Sequence, residues 1–112
     1  MERLSHAASE TVEVVDGVHL TQLVAGEEMS VQHFHVEPGA TLPQHSHPHE
    51  QVGYLLEGRL VFEVDGEEIE VSDGDSYRIP GDEPHAAENR DDEPAAGIDV
   101  FSPPRANPDW MD

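Results

Sequence analysis

Three histidines and a glutamine carry the chemistry most readily assembled from this chain. His45 and His47 stand two residues apart, Gln51 follows four later, and His85 lies in a second, distant stretch. In an extended segment residues i and i+2 face the same way, so His45 and His47 are expected to reach one point. Neutral imidazole offers a nitrogen lone pair that suits a divalent transition metal such as nickel, zinc, manganese or iron. The same alternation places Gln51, and not Glu50, on the side of the two histidines, with His49 sharing that parity as an alternative ligand. Three imidazoles and an amide oxygen form a neutral set that leaves the ion its full charge. Such a site polarises carboxylates well, whereas oxygen-activating iron sites more often include a carboxylate ligand.

Glycines frame both stretches. The first runs Gly39, five residues, His45-x-His47, three residues, Gln51, six residues, Gly58; the second runs Gly74, five residues, Pro80, then His85, three residues, Asn89. These spacings resemble the paired motifs of the cupin family. Gln51 takes the place where that family usually has Glu, and Gly81 falls one position before the expected glycine, which is Asp82 here. The resemblance implies a double-stranded β-helix, or jelly-roll barrel, with one divalent metal ion inside one mouth, held by His45, His47, Gln51 and His85.

The remaining sequence supplies strands to position these groups. Runs rich in β-branched residues are expected as strands at 11–15, 18–24, 29–36, 51–56, 59–64, 67–71, 76–79, 85–89 and 96–101. Asp16-Gly17 and Asp65-Gly66 between alternating runs are hairpin signals. No helical period persists, so the expected class is all-β, a small sandwich or barrel. At 112 residues the chain is read as one domain, with a loose arm at 1–9, a core of about 11–102 and a tail at 103–112.

The last strand reads Ile98-Asp99-Val100-Phe101 and runs on through Ser102-Pro103-Pro104-Arg105. Asp99 and Phe101 share a face by alternation. A carboxylate turned into a barrel needs a task, and one turned outward needs none; alternation alone leaves both open. Together the HSHPHEQ and DVFSPPR segments, with Trp110, resemble the KdgF-type cupins that act on unsaturated uronates from pectin and alginate. That resemblance implies Asp99 as the catalytic acid/base, with Phe101 and Arg105 lining a pocket for a small anionic sugar acid. The implied reaction opens 4,5-unsaturated uronate rings to linear 4-deoxy-5-keto sugar acids. Another metallo-cupin activity (isomerase or dioxygenase) and a non-catalytic ligand-binding cupin are the alternatives. The pattern departs at Ala106-Asn107-Pro108, which lengthens the segment ahead of Trp110.

Charge excludes other classes. There are 25 acidic residues against 5 arginines and no lysine, a formal net charge of −20. Such a surface repels a phosphate backbone and an anionic membrane, so neither nucleic acid nor membrane is an expected partner. The acids alternate with apolar residues through the strands, a composition resembling salt-adapted, haloarchaeal-type proteins whose repulsion is screened at high ionic strength. Cysteine is absent, which removes disulfides and thiolate metal sites. The first ten residues contain no apolar signal-like run, so a cytoplasmic location is expected, and a homodimer is the expected assembly.

Overall fold

A computed structural model describes residues 1–105; the Ala106-Asn107-Pro108 departure and Trp110 lie outside the described residues. Ten strands form: β1 (Thr11–Val15), β2 (Val18–Ala25), β3 (Ser30–Val36), β4 (Thr41–His45), β5 (Glu50–Glu57), β6 (Arg59–Val64), β7 (Glu67–Ser72), β8 (Ser76–Ile79), β9 (His85–Glu88) and β10 (Ala95–Ser102). They make two antiparallel sheets, one of six strands in the order β1-β2-β3-β10-β5-β8 and one of four in the order β4-β9-β6-β7. This is the all-β jelly roll expected from the sequence. Within the exposed arm at 1–9, a turn of 3₁₀ helix at His6–Ala8 places the His6 ring 4.3 Å from that of His33. No described helix is long and apolar enough to cross a membrane.

Alternation decides what faces inward. Along β3, Ser30, Gln32, Phe34 and Val36 are buried while Val31, His33 and His35 are only half-buried on the opposite face. Val18, Leu20, Phe34, Val36, Leu55, Leu60, Phe62, Val71 and Ile79 from both sheets form the core between them. The β6–β7 hairpin pairs Val64 with Glu67 around Asp65-Gly66, whose φ values of 51° and 79° are both positive, as a two-residue type I′ turn requires.

β4 lies outside the strands expected from the sequence and contains Pro43. It is an edge strand beside β9, where the missing proline N–H leaves no central ladder bond unmade. A register irregularity between Leu42 and His45 then sets His45 opposite His85. The two motif stretches are also joined at their ends. The Gly39 N–H donates to the Asn89 carbonyl, the Asn89 N–H donates to Ala40, and the wholly buried Asn89 amide donates to Val36 and Glu93.

Candidate metal centre

His45 and His47 reach one point, as the sequence leads one to expect, though not along a single strand. β4 ends at His45, and His47 sits in the following loop, before β5. What fixes it is a second loop, since the Asp82 N–H donates to the His47 carbonyl at 2.7 Å. Asp82 adopts φ of 65°, a left-handed conformation that aspartate tolerates where glycine is freer, and it occupies the position at which the motif's glycine was expected. The cluster closes across the β4–β9 pair. Ring centroids lie 4.3 Å apart for His45–His85, 5.2 Å for His47–His85 and 5.8 Å for His45–His47. One ring nitrogen from each histidine falls within 4.8 Å of the others, so the three could hold a metal ion.

Their hydrogen bonds set which nitrogen is free. His45 Nδ1 donates to the Pro43 carbonyl at 3.0 Å, His85 Nδ1 to the Glu83 carbonyl at 2.9 Å and His47 Nδ1 to the His49 carbonyl at 3.1 Å. A carbonyl only accepts, so each neutral ring carries its proton on Nδ1 and leaves a lone pair on Nε2. Burial, with Arg105 and the other two histidines nearby, pushes His47 down to about 4, and burial also lowers His85. Gln51 Oε1 stands 3.1 Å from His47 Nε2. Gln51 also draws the Asp99 carboxyl down against the effect of burial, the influence of an amide that turns its nitrogen toward a carboxylate. Two acceptors, a bare imidazole nitrogen and an amide oxygen, are therefore held face to face. A cation between them satisfies both, and the donor set fits a divalent transition metal.

Behind Gln51 lies a hydrogen-bonded rung. Tyr77 on β8, Gly53 on β5 and Asp99 on β10 are direct cross-strand partners. The Tyr77 hydroxyl passes over Gly53 and donates to Asp99 Oδ1 at 2.5 Å. Asp99 is 5% exposed, so the inward orientation left open by the sequence is the one found. Burial raises its carboxyl to about 6, against the opposing pull of Tyr77, Gln51 and Arg105. Burial and the adjacent Asp99 carry the Tyr77 phenol well above its ordinary value, so it stays a donor. Tyr77 escaped the sequence reading, although a glycine inside a strand signals close approach of another group.

Gly53 admits no side chain: a Cβ there would strike the Tyr77 ring and hydroxyl and Asp99 Oδ1. Gly53→Ala is expected to cost about 1–3 kcal/mol of stability by forcing Tyr77 off Asp99. Urea denaturation checks this, and an unchanged midpoint would remove the steric argument.

His45, His85, Gln51, Asp99, Tyr77 and Arg105 line one cavity of about 270 Å³, whose other wall is aliphatic and aromatic. Phe101 lines it too, but at 1% exposure its ring serves mainly as backing, edge-on to His47 and His49. The Arg105 guanidinium stands 5.3 Å from the Phe101 ring centre, and its backbone N–H donates to Ser30 Oγ. Glu50 points outward and pairs with Arg78 at 2.8 Å. His49 lies outside the imidazole cluster found among the described residues and supports His47 through its carbonyl. His33 and His35 occupy the outer face of β3, away from the cavity.

Comparison with known proteins gives the same picture. A family model described as a cupin domain matches residues 32–101. The pectin degradation protein KdgF of Dickeya dadantii is 28% identical over 96 residues, covering 85% of this chain and 86% of that protein. The tetracenomycin polyketide synthase protein TcmJ of Streptomyces glaucescens is 32% identical over 78 residues, 69% of this chain and 52% of that protein, so the chain spans about half of its length. An RmlC-like cupin from Shewanella frigidimarina superposes with a TM-score of 0.83 at 28% identity, covering 94% of this chain and 93% of that one.

Proposed function

The chain belongs to the cupin family, and from that premise we propose that it is a metal-dependent enzyme that opens the ring of 4,5-unsaturated uronates to linear 4-deoxy-5-keto sugar acids. One observation carries the reading: Asp99 is buried in the same cavity as Gln51, His45 and His85, with Gln51 Oε1 facing the imidazole cluster. KdgF, similar over most of its length, supports the sugar-acid class.

The reaction moves one proton. Such a uronate is a cyclic hemiacetal with a double bond between carbons 4 and 5, next to the carboxylate. His45, His47, His85 and Gln51 would hold a divalent ion, whose positive charge would polarise that carboxylate. Asp99 takes the proton from the anomeric hydroxyl; the bond from carbon 1 to the ring oxygen then breaks, leaving an aldehyde and an enolate. Asp99 returns the proton to carbon 4, and the enolate becomes the 5-ketone. A carboxyl raised to about 6 suits both halves of the shuttle. Arg105, at the cavity wall beside Phe101, provides a cation for an anionic substrate in a chain of net charge −20. The proposal extends to a homodimer, supported by Val52, Tyr54 and Leu56, which β5 leaves exposed on its outer face.

The test follows loss of ultraviolet absorbance from 4,5-unsaturated galacturonate in high salt, against the spontaneous rate. Expected is acceleration that chelator abolishes. A background rate with folded, metal-loaded protein would reject the reading. A second reading, a metallo-cupin acting on an apolar ring system, is favoured by the aliphatic cavity wall and by the similarity to TcmJ. Turnover of an aromatic polyketide but not of the uronate would select it.

A further inference from the structure

The polar rung continues past Asp99. Across the β10–β3 pair Asp99 stands opposite Gln32, and across the β3–β2 pair Gln32 stands opposite Gln22. Gln32 is 3% exposed and lines the same cavity as Asp99 and Gln51. Its Oε1 has no hydrogen-bond partner among the described residues, and the Gln22 amide beside it lacks partners at both ends, so neither amide satisfies the other. An unpaired buried amide oxygen is costly. Phe34 and Val36 show that this inner face of β3 accepts apolar side chains. The Gln32 Oε1 is thus a cost to folding with no return among the described residues. Its place in the cavity shows where the return comes from. Gln32 stands directly opposite Asp99 on β3, while on β5 Gln51 stands opposite Phe101, two residues along β10 from Asp99 and next to His47. A molecule anchored on the imidazole side and lying over Asp99 presents its far end to Gln32.

We infer that Gln32 is a specificity-determining residue whose Oε1 accepts a hydrogen bond from a hydroxyl of the bound molecule, so that the site selects a hydroxylated acid over a hydroxyl-free one. The inference deepens the sugar-acid reading and rests on it for the class of ligand. A site built to pair a hydroxyl discriminates strongly against a molecule lacking it, because the buried acceptor is then left unpaired.

The experiment titrates metal-loaded full-length protein calorimetrically with two unreactive probes, D-galacturonate and cyclohexanecarboxylate, which share a six-membered ring and a carboxylate but not the hydroxyls. Wild type is expected to bind galacturonate the more tightly. Gln32→Met, similar in volume but without the amide, is expected to weaken galacturonate by about ten- to a hundredfold and to leave cyclohexanecarboxylate within about twofold. Its thermal midpoint is expected to equal or exceed that of wild type, since an unpaired polar group has gone. Gln32→Leu serves as a second variant. Equal losses for both probes, no loss for either, no preference in wild type, or a lowered midpoint in both variants would each overturn the inference. Turnover is read separately: a wild type that binds galacturonate through Gln32 yet leaves the unsaturated sugar untouched rejects the ring-opening proposal and leaves this one standing.

Discussion

Asp99→Asn is expected to slow turnover of 4,5-unsaturated galacturonate by about a hundred- to ten-thousandfold, the range general acid–base groups contribute, while leaving the metal-free protein as stable as wild type or more so at pH 8. The substitution is nearly isosteric. An amide oxygen can still accept from the Tyr77 hydroxyl, which donates to Asp99 Oδ1 in the native rung. What disappears is the ability to take and return a proton. The stability half follows from linkage. Burial raises the Asp99 carboxyl from its ordinary value of 3.8 to about 6. Folding therefore favours the protonated form. The stability this contributes is fully present below the unfolded value and is lost as pH rises through about 6. Asparagine never ionises and escapes that loss, so its advantage should be absent at pH 3 and present at pH 8. Calorimetric midpoints at the two pH values, beside the absorbance assay, measure both halves. Wild-type turnover in the variant would end the acid/base assignment.

Local signals and long-range pairing divided what could be read in advance. The imidazole cluster was legible because motif spacing does not depend on the local element: His47 lies in the loop after β4, yet meets His45 and His85. Asp99 and Phe101 were legible as a pair because strand alternation is strict, and both prove buried. β4 was not legible, because Pro43 reads as a breaker unless the strand is known to lie at an edge. Tyr77 and Gln32 were missed for a different reason. Each sits on a strand that was expected, but its meaning depends on which strands flank it. Only the order β3-β10-β5-β8 sets Gln32, Asp99, Gly53 and Tyr77 in one rung. Their neighbours on the rung lie far away along the chain, and no local pattern records the order of strands.

The metal prediction has two arms that separate holding the ion from using it. His85→Ala is expected to weaken metal binding by more than about a hundredfold, since losing a ligand exceeds the ten- to hundredfold typical of supporting groups, and to reduce turnover to the spontaneous rate. His85 is the histidine to remove. It is 3% exposed, it faces His45 directly across β4–β9, and its Nδ1 proton is held by Glu83, so no other side chain substitutes for its Nε2. Gln51→Glu is the opposite case. A carboxylate ligand binds a divalent ion at least as well as an amide, so metal content should be retained. On the proposed reading Gln51 has a second task, however, since its amide draws the Asp99 carboxyl down against burial. Glutamate has no donor when ionised, and it sets a second negative charge against a buried carboxylate. The shuttle carboxyl is then driven further upward and loses its partner, and turnover should fall by about ten- to a hundredfold with the metal still bound. Under the proposed reading this dual duty would account for an amide where the family motif usually has Glu: Oε1 faces the imidazoles, and the amide lowers the Asp99 carboxyl. Metal analysis after dialysis, run beside the absorbance assay, reads both arms. Full activity in Gln51→Glu would show that the link between the metal site and Asp99 is not used, and metal-replete His85→Ala would place the ion elsewhere.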